Sequence, residues 1–286
     1  MVIIASSSYG ILSTIVKLAM QAGYSSAEAI TSQYVTGFVL VLILFLLFDR
    51  KLPKLSLKGV ATIMVAGLFT ATTGIVYGQS LNYLPASLAV VMLFQFTWMG
   101  LLMDCAIKRR FPSRFEVISL VFLFAGTILA AGILDVDLSA IPTKGWILGL
   151  LSALCFAIFI QINSKPVEGV TTLGRTLIIS TTSLVLISLT LSPAIIWNGQ
   201  MASGLWKFGL LLGLFGIVLP ILLLSIAIPK VGGGLASILS AMELPVAILV
   251  SVIFLHETLT LLQIVGILLV LVGMTFPSYY SIKKRG

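Results

Sequence analysis

Charge is what this chain lacks. Only 9% of its 286 residues are Asp, Glu, Lys or Arg, against 59% hydrophobic, and the mean hydropathy is +1.18. Soluble domains carry roughly 25% charged residues. A soluble chain of this length could not cover its surface with so few, whereas lipid demands no such cover. Histidine is almost missing too. His256 is the only one, which excludes a multi-histidine metal site. His256-Glu257 opens like a zincin helix, but Thr260 stands where the second His belongs. Two cysteines, Cys105 and Cys155, lie in apolar segments and offer neither a disulfide framework nor metal spacing. No Gly-Lys-Ser/Thr phosphate loop occurs, so P-loop ATP hydrolysis is excluded, and no cofactor is expected.

The net charge of +8 does not make the chain a nucleic-acid binder. Its bases fall in short clusters between apolar runs, such as Lys108-Arg109-Arg110, without stacking aromatics in regular company. That is the pattern of loop anchors at a membrane surface. The expected partner is the lipid bilayer, not nucleic acid.

What is present is one apolar run after another. A helix needs about 20 residues to cross the hydrocarbon core. Cutting at charge, Pro and Gly clusters gives ten spans, near 2–21, 29–48, 57–79, 86–107, 115–134, 145–163, 173–197, 206–228, 234–255 and 261–280. The runs lack in–out alternation, so helices rather than barrel strands are expected. The stretch to Gly10 has no Lys or Arg, and Ser6-Ser7-Ser8 interrupts it. It reads as the start of span one, not as a cleaved signal peptide.

With the N-terminus in the cytoplasm, fourteen of the 17 bases fall on the cytoplasmic side. Only Lys17, Lys144 and Lys207 fall outside. The positive-inside rule then places both termini in the cytoplasm of a multi-pass protein of the cell (inner) membrane, and favours an even number of spans. Trp146, Trp197 and Trp206 fall at outer span ends, as an interfacial belt would, whereas Trp98 falls mid-span.

Ten spans divide into two fives, and an odd number per half makes the second half enter from the opposite side. The expected fold is all-α, with residues 1–134 and 135–286 as two inverted five-helix repeats. A gapless offset of 147 residues sets Leu88-Ala89 on Leu235-Ala236, Leu102 on Leu249, Ser113 on Thr260, Glu116 on Gln263 and Gly126 on Gly273. It also sets Arg109-Arg110 on His256-Glu257, basic inside and non-basic outside.

The second half carries Ala236-Ser237-Ile238, then Glu243-Leu244-Pro245-Val246, Leu255-His256-Glu257-Thr258-Leu259-Thr260 and Gln263-Ile264-Val265-Gly266. This resembles the EamA-like repeat of the drug/metabolite transporter superfamily: a small-residue start, a central Pro, a Glu-x-Leu-Thr turn and a Gln-x-x-Gly helix. In the first half Phe96 and Trp98 replace the Glu and Pro, and Arg110 replaces the turn Glu. The resemblance implies ten helices, inverted repeats, and export or exchange of small metabolites, amino acids among them.

Transporters built this way bind substrate near the midplane between repeats. Spans four and nine are centred there, with Phe96 equivalent to Glu243 and Trp98 to Pro245. A carboxylate at that depth costs about 2.5–3.5 kcal/mol on insertion scales. Glu243 should therefore face a cavity and take up a proton, or bond to the kinked backbone at Pro245. It is the candidate for proton coupling. Ser240 continues its small, partly polar stripe. Gln95 and Trp98, three apart, share a face that either holds a metabolite or packs between helices. Tyr9 and Tyr77 are further substrate-binding candidates. Pro220 and Pro245 mark kinks for gating. Gln161 and Asn163 read as caps of span six. Gly74-x-x-x-Gly78, Gly145-x-x-x-Gly149 and Gly209-x-x-x-Gly213 permit close helix packing.

A secondary transporter of small metabolites, most of all amino acids, working by alternating access, accounts for these features. A membrane enzyme acting on lipid or isoprenoid substrates would need more than His256 and Glu257 on one loop. A channel would show a polar stripe through several helices or a filter-like loop, and neither occurs. Nothing in the sequence fixes an oligomeric state.

Overall fold

The computed structural model describes residues 1–49, 56–80, 82–84, 86–132, 141–191, 195, 197–256 and 259–283. Among these there is no strand. The helices are α1 (Val2–Gln21), α2 (Ser26–Phe48), α3 (Leu57–Ser80), α4 (Ala86–Phe94), α5 (Phe96–Ile107), α6 (Arg114–Ala130) and α7 (Thr143–Asn163). They continue as α8 (Thr172–Thr190), α9 (Trp206–Gly213), α10 (Leu219–Val231), α11 (Gly233–Leu239), α12 (Glu243–Leu255) and α13 (Leu261–Lys283). Several of these join end to end, so the described residues form ten helical stretches. Eight are long and apolar enough to cross a bilayer. The other two are α6, with 17 residues, and α13, which is apolar over Leu261–Phe276, the part whose side chains are described.

The helix ends have local causes. Ser25 and Glu28 form a capping box before α2, and Ser113 and Glu116 form one before α6. Thr260 and Gln263 repeat that exchange before α13, with N···O distances of 3.0 and 3.2 Å. Span five was expected to reach 134, but α6 ends at Ala130 because Gly132 turns the chain at φ +64°. Span seven was expected to reach 197, but α8 ends at Thr190. Pro193 follows and cannot continue a helix. Span eight begins earlier than expected, in a π turn at Met201–Leu205.

Short connections make successive stretches antiparallel, so the bundle has two ends. At one, Tyr24 donates to the Ser203 carbonyl at 3.2 Å, and Lys144 lies 5.0 Å from the Tyr83 ring centre. Trp206 and Trp197 are exposed there. At the other, Thr171 donates to the Asp49 carboxylate, and the basic cluster at Lys108 joins α5 to α6.

The two halves use the same contacts. Thr36 on α2 donates its hydroxyl to the Gly209 carbonyl on α9. Ser183 on α8, which the 147-residue offset sets on Thr36, likewise donates to a glycine carbonyl on the equivalent neighbour, Gly67 on α3 at 2.9 Å, although the acceptor lies at a different offset. Helices α6 and α13 are mutual equivalents and pack face to face. Ser119 donates to the Gly273 carbonyl, and a Cβ on Gly126 would stand 2.7 Å from the Gly266 carbonyl. As the number rises along α6 its partner's number falls along α13, so these equivalent helices run in opposite directions.

Candidate functional site

Two stretches bend near their middles. The rod of α4 and α5 is interrupted at Gln95, whose N–H reaches back three residues to the Met92 carbonyl at 3.2 Å. The rod of α11 and α12 tightens into a 3₁₀ turn at Ser240–Met242. At the 147-residue offset Gln95 falls on Met242, so the two bends coincide. Pro245 lies in the first turn of α12, where its missing N–H removes the ordinary α-helical bond to the Ala241 carbonyl. Pro220 does the same at the start of α10, just after the π turn Leu214–Val218. Both kink prolines are buried.

Glu243 opens α12 at the bend and is half-buried. Helix α1 passes so close that a Cβ on Gly10 would stand 2.9 Å from the Ala247 nitrogen. That close approach brings Tyr9 near Glu243. Tyr77 lies on α3, packed beside Leu88 and Met92, and the Glu243 carboxyl is within electrostatic range of both tyrosines. Tyr34 lies near Tyr9 and points its hydroxyl to the Thr70 carbonyl at 3.4 Å. Beside them, Tyr9, Phe156 and Phe96 form an edge-to-face chain with centroids 6.0 and 4.7 Å apart. Tyr9, Tyr77 and Glu243 each keep accessible surface, while Phe96 is fully buried. Among the described residues Glu243 has no hydrogen-bond donor and no cation beside it. The structure thus sets two candidate tyrosines, on α1 and α3, within electrostatic range of a third candidate, the Glu243 carboxyl on α12.

The other candidates lie differently. Ser240 is buried, and its hydroxyl has no partner among the described residues. Gln95 is buried with its amide fully engaged: it donates to the Val91 carbonyl at 2.9 Å and accepts from the Trp98 indole at 2.8 Å. It braces the bend. Trp98 is 36% exposed on a stripe with Leu102 and Ala106, both exposed. His256 ends α12 in the left-handed region at φ 54°, and Glu257 lies outside the described residues. No group of three or more potential metal ligands occurs among the described residues.

Sequence reasoning missed a second polar cluster, at the Lys108 end. Asp104 is 3% exposed and pairs with Lys108 at 2.9 Å and with Arg110 at 3.1 Å. Arg110 also grips Glu116 with two bonds of 2.8 Å. Those bonds push its pKa further above the usual arginine range. The turn from α10 into α11 is pressed against this cluster. Cβ atoms on Gly232 and Gly234 would stand 2.9 Å from the Lys108 ammonium and the Asp104 carboxylate. Gln161, expected as a cap, instead crosses from α7 to donate to the Gly100 carbonyl on α5 at 2.7 Å. Asn163 is fully buried, and its carbonyl accepts from Arg175 at 3.2 Å.

The two ends therefore differ. At the Lys108 end α5 packs against both α11 and α7. At the Trp206 end the equivalent pair, α4 and α12, makes no comparable contact among the described residues. There α4 lies on α7 and α12 lies on α1.

Compared with known proteins, residues 1–132 and 143–279 each match the EamA-like transporter family. Among curated proteins nothing matches significantly. One solved structure, titled only "Crystal structure of protein", has the same fold, with a TM-score of 0.75 at 14% identity. The match covers 99% of this chain and 98% of that one.

Proposed function

The chain belongs to the EamA-like transporter family, with two family repeats in one multi-pass membrane protein, and from that premise we propose that it exports or exchanges small metabolites, foremost amino acids, by alternating access. Ten spans, two inverted repeats (1–134 and 135–286) and both termini in the cytoplasm of the inner membrane complete the reading. The Lys108 end is then cytoplasmic and the Trp206 end external.

The observation that carries the proposal is the pair of bends at Gln95 and Ser240–Met242, with Glu243 at the second. Bends at equivalent places let one end of the bundle part while the other closes. Substrate is held at Glu243, Tyr9 and Tyr77. A carboxyl with tyrosyl hydroxyls and no neighbouring cation is the complement of an ammonium group, which every free amino acid carries. Between substrates the same carboxyl takes a proton, and so couples proton movement to export. Trp98, Gln95 and Ser240 shape the bends and the path to them, and Pro220 and Pro245 fix the kinks.

The test is counterflow in proteoliposomes loaded with a panel of amino acids. Saturable exchange supports a carrier. Flux that rises linearly with concentration and shows no counterflow would point to a channel instead.

A further inference from the structure

Two grooves that open on the side of the bundle differ at their rims. The first, of about 310 Å³, runs between α5 and α7. Met103, Ala106 and Ile107 form one wall, and Ile158 and Ile162 form the other. Its polar lining comes from Gln161 and from Lys165, just past the end of α7. The second, of about 350 Å³, lies between α2, α3 and α8. It takes in Phe45, Met64, Leu177 and Thr181, and none of its described lining residues is charged. The flank of a membrane-spanning bundle meets lipid rather than water, and apolar walls suit an acyl chain in both grooves. Only the first ends on a base. Ala106, Ile107 and Lys165 are exposed there. Among the described residues no carboxylate pairs with Lys165, nor with Arg109, which follows α5 two residues past Ile107. Lys108 and Arg110 are different, because Asp104 and Glu116 already hold them. Each wall of this groove therefore leads to a base that is not committed to an acid: α5 to Arg109 and α7 to Lys165.

We propose that the groove between α5 and α7 is a binding site for an anionic phospholipid, with an acyl chain between its apolar walls and the headgroup phosphate on Lys165 and Arg109. Long basic side chains lay their stems along apolar surface and hold the charged tip at headgroup level. Basic pockets between transmembrane helices collect anionic head groups for this reason. A zwitterionic lipid offers the same phosphate, but its own cation repels the two bases, so a headgroup of net negative charge is favoured. The site spans the seam between the two family repeats, since α5 belongs to the first and α7 to the second. Its Gln161 is the residue that donates across that seam to the Gly100 carbonyl.

Native mass spectrometry of the full chain in a mild detergent, titrated with dioleoylphosphatidylglycerol or dioleoylphosphatidylcholine, counts the bound lipids and ranks their affinities. The wild type should bind one phosphatidylglycerol at least about tenfold more tightly than phosphatidylcholine, as two bases at a membrane surface require. Lys165→Gln and Arg109→Gln should each lower the phosphatidylglycerol affinity about fivefold and leave phosphatidylcholine nearly unchanged. Ala106→Phe, which fills the groove, should weaken both lipids. Thr181→Phe, in the uncharged groove, should leave the preference intact. All four positions are exposed, so the variants should fold, and an unshifted thermal midpoint checks this before titration. Equal affinity of the wild type for the two lipids overturns the proposal. A preference that survives both base substitutions also overturns it, since the charge is then read elsewhere. So does one that Ala106→Phe leaves untouched, since the chain then lies elsewhere.

Discussion

Ser183 on α8 donates its hydroxyl to the carbonyl of Gly67 on α3, 2.9 Å away. The bond works only because Gly67 lets the helices touch. A Cβ there would stand 2.8 Å from the Ile179 carbonyl and 2.9 Å from the Thr182 Cβ. Gly67→Leu should therefore force α3 and α8 apart and destabilise the protein by about 1–3 kcal/mol or more, as overpacking does. A lowered thermal midpoint in detergent reads this, and an unshifted midpoint would mean that the interface is loose.

Glu243→Gln separates the two duties proposed for the carboxyl. Glutamine keeps the size and hydrogen-bonding reach of glutamate but cannot titrate. We expect pH-driven uptake to vanish while exchange of substrate for substrate survives with a raised KM. Proteoliposomes with and without an imposed pH gradient make the comparison. Wild-type dependence on the gradient in the variant would reduce Glu243 to a scaffold residue.

Trp98→Ala should lower transport about tenfold, equivalent to ~1.4 kcal/mol in the limiting step. Expression and thermal stability should hardly move, because the indole is partly exposed and its polar contact is to Gln95 within its own stretch. If the flux is intact, the indole faces lipid and plays no part in the pathway.

Phe111, 94% exposed in the loop before α6, is a convenient reporter of orientation. Phe111→Cys in a background with Cys105 and Cys155 replaced by Ser should be silent to an impermeant maleimide added to intact cells, and should label in inside-out vesicles. Strong labelling from outside would reverse the assigned topology.

The helices were legible in the sequence because lipid imposes a length and forbids charge, so most boundaries announce themselves as clusters of bases, glycines or prolines. Ends set by local backbone geometry, such as the one at Gly132, were not. The carboxyl at the bend was legible because nothing else acidic lies so deep. Its meeting with Tyr9 and Tyr77 was only half so, since helical spacing places residues on faces of one helix and says nothing of which helix comes alongside. Asp104 was hidden for another reason. Its partners lie four and six residues on, inside a basic cluster that topology alone already explains, and nothing in that spacing shows that the α11 turn at Gly234 lies against it. The offset also aligned Thr36 with Ser183, but a hydroxyl in an apolar run gives no sign of the distant carbonyl it will meet.

At the bend of the first repeat Phe96 is buried, and at the equivalent place in the second Glu243 keeps accessible surface. The halves have therefore divided their labour, and neither can stand in for the other. A homodimer of the first half would seal its centre with two phenyl rings and own no group there able to hold a proton. A homodimer of the second would bring two carboxyls together, and their mutual repulsion would keep at least one of them neutral. A single carboxyl at the centre needs one chain with two unlike copies, so on the proposed reading fusion of the repeats is what sets one proton-binding group at the bend of one copy and none at the other.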